Sequence, residues 1–458
     1  MNRKNRKLRL TDIVLMSVCV VLVLGTVAPS ASIGVSSVFW WIFLLITFSY
    51  PYGLVTAELG TTYPYEGGIY DWVRKAFGKS WGARIAWYYW INYAFWMGSI
   101  GILFTIVLGQ ILGIKFNLLF TAIISLLVIW LSIYLSLLNH VNNRWILNSG
   151  AIFKALVLFS LGGIGIYVAC TRGLANQFTI SNMTPTLNEG LRFLPMVIFN
   201  FHGFEIITSV SDDMENPQKE IPKALILGGS LIAFFYLFST FGILVAIPVN
   251  NLSAATGLME SFYTLLKPSI ITNLFVILMG ILFLFTMISN LLAWATGVNY
   301  VAYYASKNND LPKSFGLVYK KSGMPFGVAM WNGAVASTVV FLYLLLDYFK
   351  TNGDLFWNIF SINAIILIMS YVLLFPAFLK LRKVYPNKYR PFRVHGGKIK
   401  LLAISYIPML ILILSLVLFF YIPGVPFNFE YFWQVGLPLL AVILLNEIII
   451  KKLHKSNS

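Results

Sequence analysis

Apolar runs long enough to cross a lipid bilayer recur along the whole chain. A helix needs about 20 mostly apolar residues to cross a hydrocarbon layer of roughly 30 Å. The runs are apolar throughout, whereas the strands of a membrane barrel alternate apolar and polar residues. The sequence therefore predicts an all-α membrane protein with about twelve transmembrane helices, at residues 11–33, 36–58, 83–112, 118–138, 147–170, 191–211, 223–248, 270–303, 326–346, 355–379, 400–422 and 431–450.

The low content of charged residues excludes a soluble protein. Charged residues make up 11% of the chain and hydrophobic residues 59%, and the mean hydropathy is +0.79. A soluble globular domain carries about a quarter charged residues. So apolar a chain is expected to lie in the hydrocarbon layer of a membrane.

Basic residues are concentrated on one side of the predicted membrane helices. With the N-terminus in the cytoplasm, only five of the 33 Lys and Arg residues fall in outer segments: Lys115, Arg172, Arg192, Lys267 and Lys350. Cytoplasmic loops of membrane proteins carry an excess of Lys and Arg. We therefore predict a multi-pass protein of the cell (inner) membrane with both termini in the cytoplasm. This distribution and the lipid bilayer account for the net charge of +17, so no nucleic-acid partner is expected.

No cluster of residues indicates catalysis, a metal site or a cofactor. The chain contains no CxxC, HExxH, GxSxG or phosphate-binding P-loop sequence. The four His residues fall in distant segments, at His140, His202, His395 and His454. We therefore expect a transport protein and not an enzyme, and an ATP-driven pump is excluded within this chain.

The first and sixth apolar runs are interrupted near their middles. In a transporter, broken helices in corresponding positions of two halves mark the substrate site, where freed backbone groups meet the ligand. The alternative is that Gly and Pro merely kink these helices. The interrupting residues are Gly25, Thr26, Pro29 and Ser30 in the first run, and Asn200, His202 and Gly203 in the sixth.

The spacing of the two interruptions predicts an internal repeat. The interrupted helices are five apart, as expected for two inverted repeats of five helices followed by two further helices. We therefore predict one transporter domain over residues 1–458, with repeats at 11–170 and 191–380 and additional helices at 400–452.

Glu205 is a charged residue inside the sixth apolar run. A carboxylate there costs at least about 2.5 kcal/mol on membrane insertion, so such a residue is usually functional. It could bind a cationic substrate, carry a proton, or cap backbone N–H groups at the helix break. His202 lies beside it, and a membrane His is either a pH-sensitive group or hydrogen-bonded packing.

Three aromatic residues near the breaks could hold a cation. Phe199 and Phe201 lie in the sixth run and Trp294 lies in the eighth. An aromatic face attracts an ammonium or guanidinium group by up to about 2 kcal/mol when water is excluded. The alternative for Trp294 is ordinary packing.

Three segments resemble motifs of the amino acid–polyamine–organocation transporter superfamily. The first contains Ala57-Glu58-Leu59-Gly60, Pro64-Tyr65-Glu66-Gly67-Gly68-Ile69-Tyr70 and Ala76-Phe77-Gly78. The second contains Glu215-Asn216-Pro217 and Ile221-Pro222 after the sixth run. The third contains Asp310-Leu311-Pro312 after the eighth run.

Two stretches, one in the first segment and one in the eighth run, are most similar to the glutamate/γ-aminobutyrate antiporter branch, which includes exchangers of an amino acid or agmatine for its product. They are Tyr65-Glu66-Gly67-Gly68 and Leu292-Ala293-Trp294-Ala295-Thr296-Gly297. The resemblance implies a LeuT-like fold with helices 1, 3, 6, 8 and 10 around the substrate. Matched by motif, Glu205 is the family's acidic residue after the break in helix 6. Phe199 and Phe201 match its aromatic gate region, and Trp294 matches its aromatic residue in helix 8.

The first helix departs from the family pattern. Many relatives carry a Gly-Ser-Gly triplet that receives the substrate carboxylate, whereas this chain reads Val23-Leu24-Gly25-Thr26. The departure favours an amine such as agmatine or putrescine. The predicted substrate-binding set is Leu24, Gly25, Thr26, Phe199, Phe201, His202, Gly203, Glu205 and Trp294.

We therefore predict a secondary antiporter that exchanges an external amino acid or amine, such as agmatine, for its internal product, such as putrescine. A proton-coupled amino acid symporter is one alternative. A transporter-like receptor that binds small molecules without moving them is another. Assembly into a homo-oligomer stays open.

Overall fold

The computed structural model describes residues 7–64, 67–138, 140–185, 191, 193–252, 257–348 and 355–455, which form helices and connecting loops without a β-strand. Tyr65 and Glu66 of the first motif, and Ser458 at the C-terminus, lie outside the described residues. In chain order the α-helices are α1 (Leu10–Val21), α2 (Val27–Ala31), α3 (Ser36–Leu44), α4 (Tyr50–Thr62), α5 (Gly68–Phe77), α6 (Lys79–Leu112), α7 (Leu118–Ser136), α8 (His140–Arg172), α9 (Ile180–Met183), α10 (Leu194–Phe199), α11 (Pro217–Ala246), α12 (Gly257–Leu265), α13 (Ile270–Lys307), α14 (Phe326–Tyr348), α15 (Leu355–Tyr371), α16 (Leu374–Val384), α17 (Lys398–Leu418) and α18 (Phe429–Lys455).

Among the described residues, ten helices are long and apolar enough to cross a membrane, and the bent pair formed by residues 10–21 and 24–31 makes an eleventh. The predicted span at 191–211 is divided between α10 and a 3-10 helix at Phe204–Asp213. Several spans begin or end beyond the predicted apolar runs, because charged residues extend the helix past the apolar part. Examples are Lys79 at the start of α6 and Arg382 in the last turn of α16.

The first membrane helix is broken at Leu22 and Val23. Both residues have extended backbone, and a 3-10 turn at Leu24–Thr26 then leads into α2. The segment Leu24–Ala31 is bent by 43° relative to α1. Pro29 lies in the first turn of α2 and has no N–H to offer the carbonyl of Gly25. The local sequence therefore interrupts the helical hydrogen bonds between α1 and α2.

The sixth membrane segment is broken at Gly203. Its φ is +107°, a left-handed conformation that favours Gly over any residue with a Cβ atom. α10 ends at Phe199, and the 3-10 helix begins at Phe204 on the other side of the break. The chain therefore changes direction at a residue whose backbone permits it.

The two broken segments lie inside a shell of continuous helices. α6 contacts α5, α7, α13, α14 and α15, and α1 packs against α8, α11 and α13. The 3-10 helix at Phe204–Asp213 contacts α1, α4, α5, α11 and α13. This packing places the residues of both breaks in the protein interior, where irregular backbone is tolerated in a membrane protein.

Candidate functional site

The two breaks contact each other through buried polar side chains. Thr26 Oγ1 lies 2.8 Å from Asn200 Oδ1 and 2.7 Å from the carbonyl oxygen of Val23. The Tyr236 hydroxyl accepts the N–H of Val23 at 2.7 Å and donates to the carbonyl of Val21 at 3.0 Å. Several backbone groups that the broken helix frees are therefore satisfied by side chains from other parts of the chain.

The carboxylate of Glu205 accepts hydrogen bonds from three tyrosine hydroxyls, of Tyr52, Tyr89 and Tyr371. These tyrosines come from α4, α6 and α15, so one buried acid joins three helices to the sixth-segment break. Three donors around a carboxylate stabilise its ionised form. Within the described part of the chain, no Lys or Arg forms an ion pair with Glu205.

One ring nitrogen of His202 has no hydrogen-bond partner in the part of the chain that the structure describes. Its Nδ1 lies 2.9 Å from the carbonyl oxygen of Ile198, and its ring lies edge-on to Tyr371 with centroids 4.5 Å apart. A carbonyl can only accept, so Nδ1 carries the hydrogen and Nε2 of the neutral ring is an acceptor. Among the described residues, neither this Nε2 nor the Nδ2 of Asn200 has a hydrogen-bond partner.

Trp294 connects the two breaks from α13. Its Nε1 donates to the carbonyl of Val20 at 3.1 Å, at the end of α1. A Cβ atom added to Gly203 would lie 3.2 Å from Trp294 Cζ2. The ring therefore fixes the end of α1 and covers the glycine at which the sixth segment turns.

The other predicted residues lie around the same centre. Leu24 is buried, and a Cβ atom added to Gly25 would lie 3.0 Å from Leu103 Cδ2. Phe201 contacts Trp41 edge-on with ring centroids 5.3 Å apart, and Phe199 contacts Phe360 at 5.0 Å. Phe199 and Phe201 thus pack against different helices, on either side of Asn200.

Glu58, from the first motif, forms an ionic cluster outside this centre. It accepts the N–H of Val394 and the Nε of Arg382, both at 2.7 Å, and Arg390 Nε lies 3.2 Å away. The cluster fastens α4 to α16 and to the segment that follows it.

Asp310, from the third motif, forms a second cluster. It accepts the Tyr70 hydroxyl and the Nε of Arg74, both at 2.6 Å. Burial and the hydrogen bond to Asp310 raise the pKa of the Tyr70 hydroxyl, which therefore stays protonated and donates. This cluster fastens α5 to the loop after α13.

Comparison with known proteins identifies the family. A family model described as amino acid permease matches residues 8–444. The chain belongs to the amino acid permease family. As predicted from the motifs, this permease is therefore a member of the amino acid–polyamine–organocation superfamily.

Several relatives of this permease are named as transporters. It is 42% identical over 458 residues to the probable agmatine/putrescine antiporter AguD of Lactococcus lactis, covering 99% of this chain and 96% of the relative. An uncharacterized transporter of Legionella pneumophila is 28% identical over 97% of each chain. A probable polyamine transporter of Arabidopsis thaliana is 29% identical over 205 residues, covering 44% of this chain and 40% of the relative.

The structure adds residues of the permease that sequence reasoning missed. Lys154 is buried in α8, and its Nζ donates to the carbonyls of Cys19 and Leu22 at the end of α1, the latter at 2.5 Å. Lys154 is a charged residue inside the apolar run at 147–170, as Glu205 is in its own run, so it could have been identified from the sequence. Tyr52, Tyr89 and Tyr371 had no such signal, because they are three among 24 tyrosines.

Proposed function

We propose that this permease is a secondary antiporter that exchanges an external cationic amine, such as agmatine, for an internal amine product, such as putrescine. The observation that carries the proposal is Glu205, a buried carboxylate at the helix break with three hydroxyl donors and no basic partner among the described residues. The naming of the Lactococcus relative as a probable agmatine/putrescine antiporter supports the same substrate class.

A cationic substrate supplies the charge that this site lacks. An ammonium or guanidinium group that leaves water loses several kcal/mol of hydration, which an anionic partner must replace. An ionised Glu205 offers that negative charge, and the hydroxyls of its three tyrosines donate to it without neutralising it. A neutral substrate would leave the buried carboxylate uncompensated.

The residues before Glu205 add hydrogen-bond acceptors to the proposed site. The Thr26 hydroxyl has one hydrogen and cannot donate to both Val23 and Asn200. If it donates to Val23, the amide of Asn200 turns so that its Nδ2 donates to Thr26 and its oxygen faces the ligand. That oxygen and the unpartnered Nε2 of His202 would accept N–H groups of an amine or guanidinium.

The remaining residues of the proposed substrate-binding set shape the apolar part of the site. The indole N–H of Trp294 is used by Val20, so this residue would contact the ligand through its ring carbons and not through a hydrogen bond. Leu24, Gly25, Phe199 and Phe201 would enclose the carbon chain of the substrate.

The proposed cycle is alternating access. Asn200, His202, Glu205 and Trp294 are each at most 4% exposed, so a substrate reaches them only after the surrounding helices move. We propose that the inverted repeats at 11–170 and 191–380 move relative to each other, and that the helices at 400–452 are additional to them. If the helices move readily only with substrate bound, the empty site does not change sides, and transport is an exchange of one substrate for another.

Exchange in proteoliposomes tests the function. Purified protein should take up labelled agmatine into vesicles that contain putrescine or agmatine, and not into empty vesicles. Equal uptake into empty vesicles under a proton gradient would support a proton-coupled symporter instead. Stabilisation by agmatine without any flux would indicate a receptor. Competition by a panel of amines and amino acids would then define the substrate pair.

Selective labelling tests the proposed cytoplasmic termini. A cysteine at position 458 should react only from the cytoplasmic side of the membrane. Cys170 is exposed near the end of α8 and is expected on the outer side, so it provides a control in the same cells. Labelling of position 458 from outside in intact cells would contradict the topology.

A further inference from the structure

A cavity of about 910 Å³ lies where α1 and α8 begin. The first helix break lies at the opposite end of α1. Its wall combines basic, acidic and aromatic side chains, among them Lys7, Arg9, Asp12, Arg144, Trp145 and Glu215. The proposed function assigns no role to these residues.

Two of the three basic side chains that line this cavity form no ion pair among the described residues and can bind an anion. Asp12 is occupied by the protein itself, since it accepts the N–H of Arg9 at 3.1 Å and the amide of Asn148 at 2.8 Å. Among the described residues, the side chains of Lys7 and Arg9 form no ion pair, and both residues are exposed. Arg144 lies 3.8 Å from Asp12 and is one-third exposed.

An apolar stripe continues from the cavity along α8. Trp145, Ile152, Leu156 and Phe159 are spaced so that they lie on one face of the helix. Their exposed fractions are 61%, 52%, 43% and 57%, as expected for side chains that face lipid. Trp is enriched at the level of the lipid headgroups, so Trp145 in the wall of the cavity favours a position at that level.

We propose that this cavity binds an anionic phospholipid. Its phosphate would lie between Lys7, Arg9 and Arg144, and an acyl chain would follow the stripe that begins at Trp145. Basic cavities between membrane helices select anionic headgroups, because a zwitterionic lipid carries its own positive charge into the cavity. A lipid in this position would contact both α1, the first half of the broken helix, and α8, which carries Lys154. Its presence would therefore affect the movement of α1 during transport.

Binding of phosphatidylglycerol to the full-length protein in detergent tests the proposal. Native mass spectrometry should show one tightly bound molecule, and phosphatidylcholine should bind more weakly. The double variant Lys7→Gln/Arg9→Gln should weaken phosphatidylglycerol binding about 30-fold. The matched control Lys320→Gln/Lys321→Gln, which removes two exposed charges elsewhere, should leave that affinity unchanged. Equal affinities in both double variants would overturn the proposal.

Quenching of Trp145 locates the lipid and separates it from a soluble anion. Phosphatidylglycerol brominated on its acyl chains should quench part of the tryptophan fluorescence, and Trp145→Phe should remove that part. Inorganic phosphate at millimolar concentration should not displace the lipid. Displacement by phosphate would show an anion site that does not need the acyl chain, and equal quenching by brominated phosphatidylcholine would show that charge does not select the lipid. Either result would overturn the proposal.

Discussion

The side chains of Thr26 and Asn200 join the two broken membrane segments, with Thr26 Oγ1 2.8 Å from Asn200 Oδ1. Both residues are buried, so this contact is not shared with bulk water. Each lies at a break, and a movement of one segment relative to the other must stretch or break the contact. The pair is therefore suited to connect the proposed substrate site to the opening of the transporter.

Asn200→Leu should weaken agmatine binding more than Thr26→Val does. The Leu side chain has a similar volume but loses both the contact with Thr26 and the proposed bond to the ligand, whereas Val loses only the contact. A hydrogen bond to a charged group contributes about 1.5–3 kcal/mol, so the two variants should differ at least tenfold in dissociation constant. Equilibrium binding of labelled agmatine measures both. Equal losses would mean that Asn200 acts only through Thr26.

Glu205→Gln should weaken binding of cationic amines roughly 100-fold and binding of neutral amino acids much less. Removing one partner from a buried pair of charges costs about 3 kcal/mol or more, since the substrate cation is left uncompensated. Tyr371→Phe is the matched control, because it removes one donor and keeps the carboxylate. If Glu205 is a proton carrier instead, Glu205→Gln should preserve affinity and flatten the pH dependence of exchange.

Gly203→Ala should abolish transport, whereas Gly163→Ala should preserve it. At Gly203 the new Cβ atom would lie 2.8 Å from Val20 Cγ1, in a backbone with a φ of +107°. At Gly163, inside α8, the new atom would meet nothing within 4 Å. Exchange rates and thermal stability of both purified variants provide the comparison. Full activity of Gly203→Ala would show that the left-handed turn is dispensable.

Lys154→Met should lower thermal stability and reduce exchange, because the carbonyl of Leu22 loses its Lys154 donor, whereas the carbonyl of Cys19 keeps the amide of Asn290. Leaving a buried acceptor unsatisfied costs about 1–3 kcal/mol, and the ammonium group also offsets the negative end of the helix dipole. Lys223→Met on the exposed face of α11 controls for the loss of a positive charge. The melting temperature of both proteins in detergent measures the effect. An unchanged value for Lys154→Met would contradict a role in holding α1.

The first break lies at Leu22 and Val23, before the residues predicted to interrupt that helix, so the sequence alone indicated only the membrane-spanning helices and the break at Gly203. Helix length depends on local apolar composition, and a Gly or Pro changes the backbone where it stands, so both are readable along the chain. Glu205 was also visible from the sequence, because charge is rare in an apolar run.

Only the tertiary structure decided what these residues contact. Tyr52, Tyr89 and Tyr371 meet at Glu205 from helices that lie far apart in the chain, and Asn200 meets Thr26 in the same way. A buried polar group is satisfied by whichever donor packing brings within about 3 Å. That selection depends on how helices cross in space, which composition and periodicity do not specify.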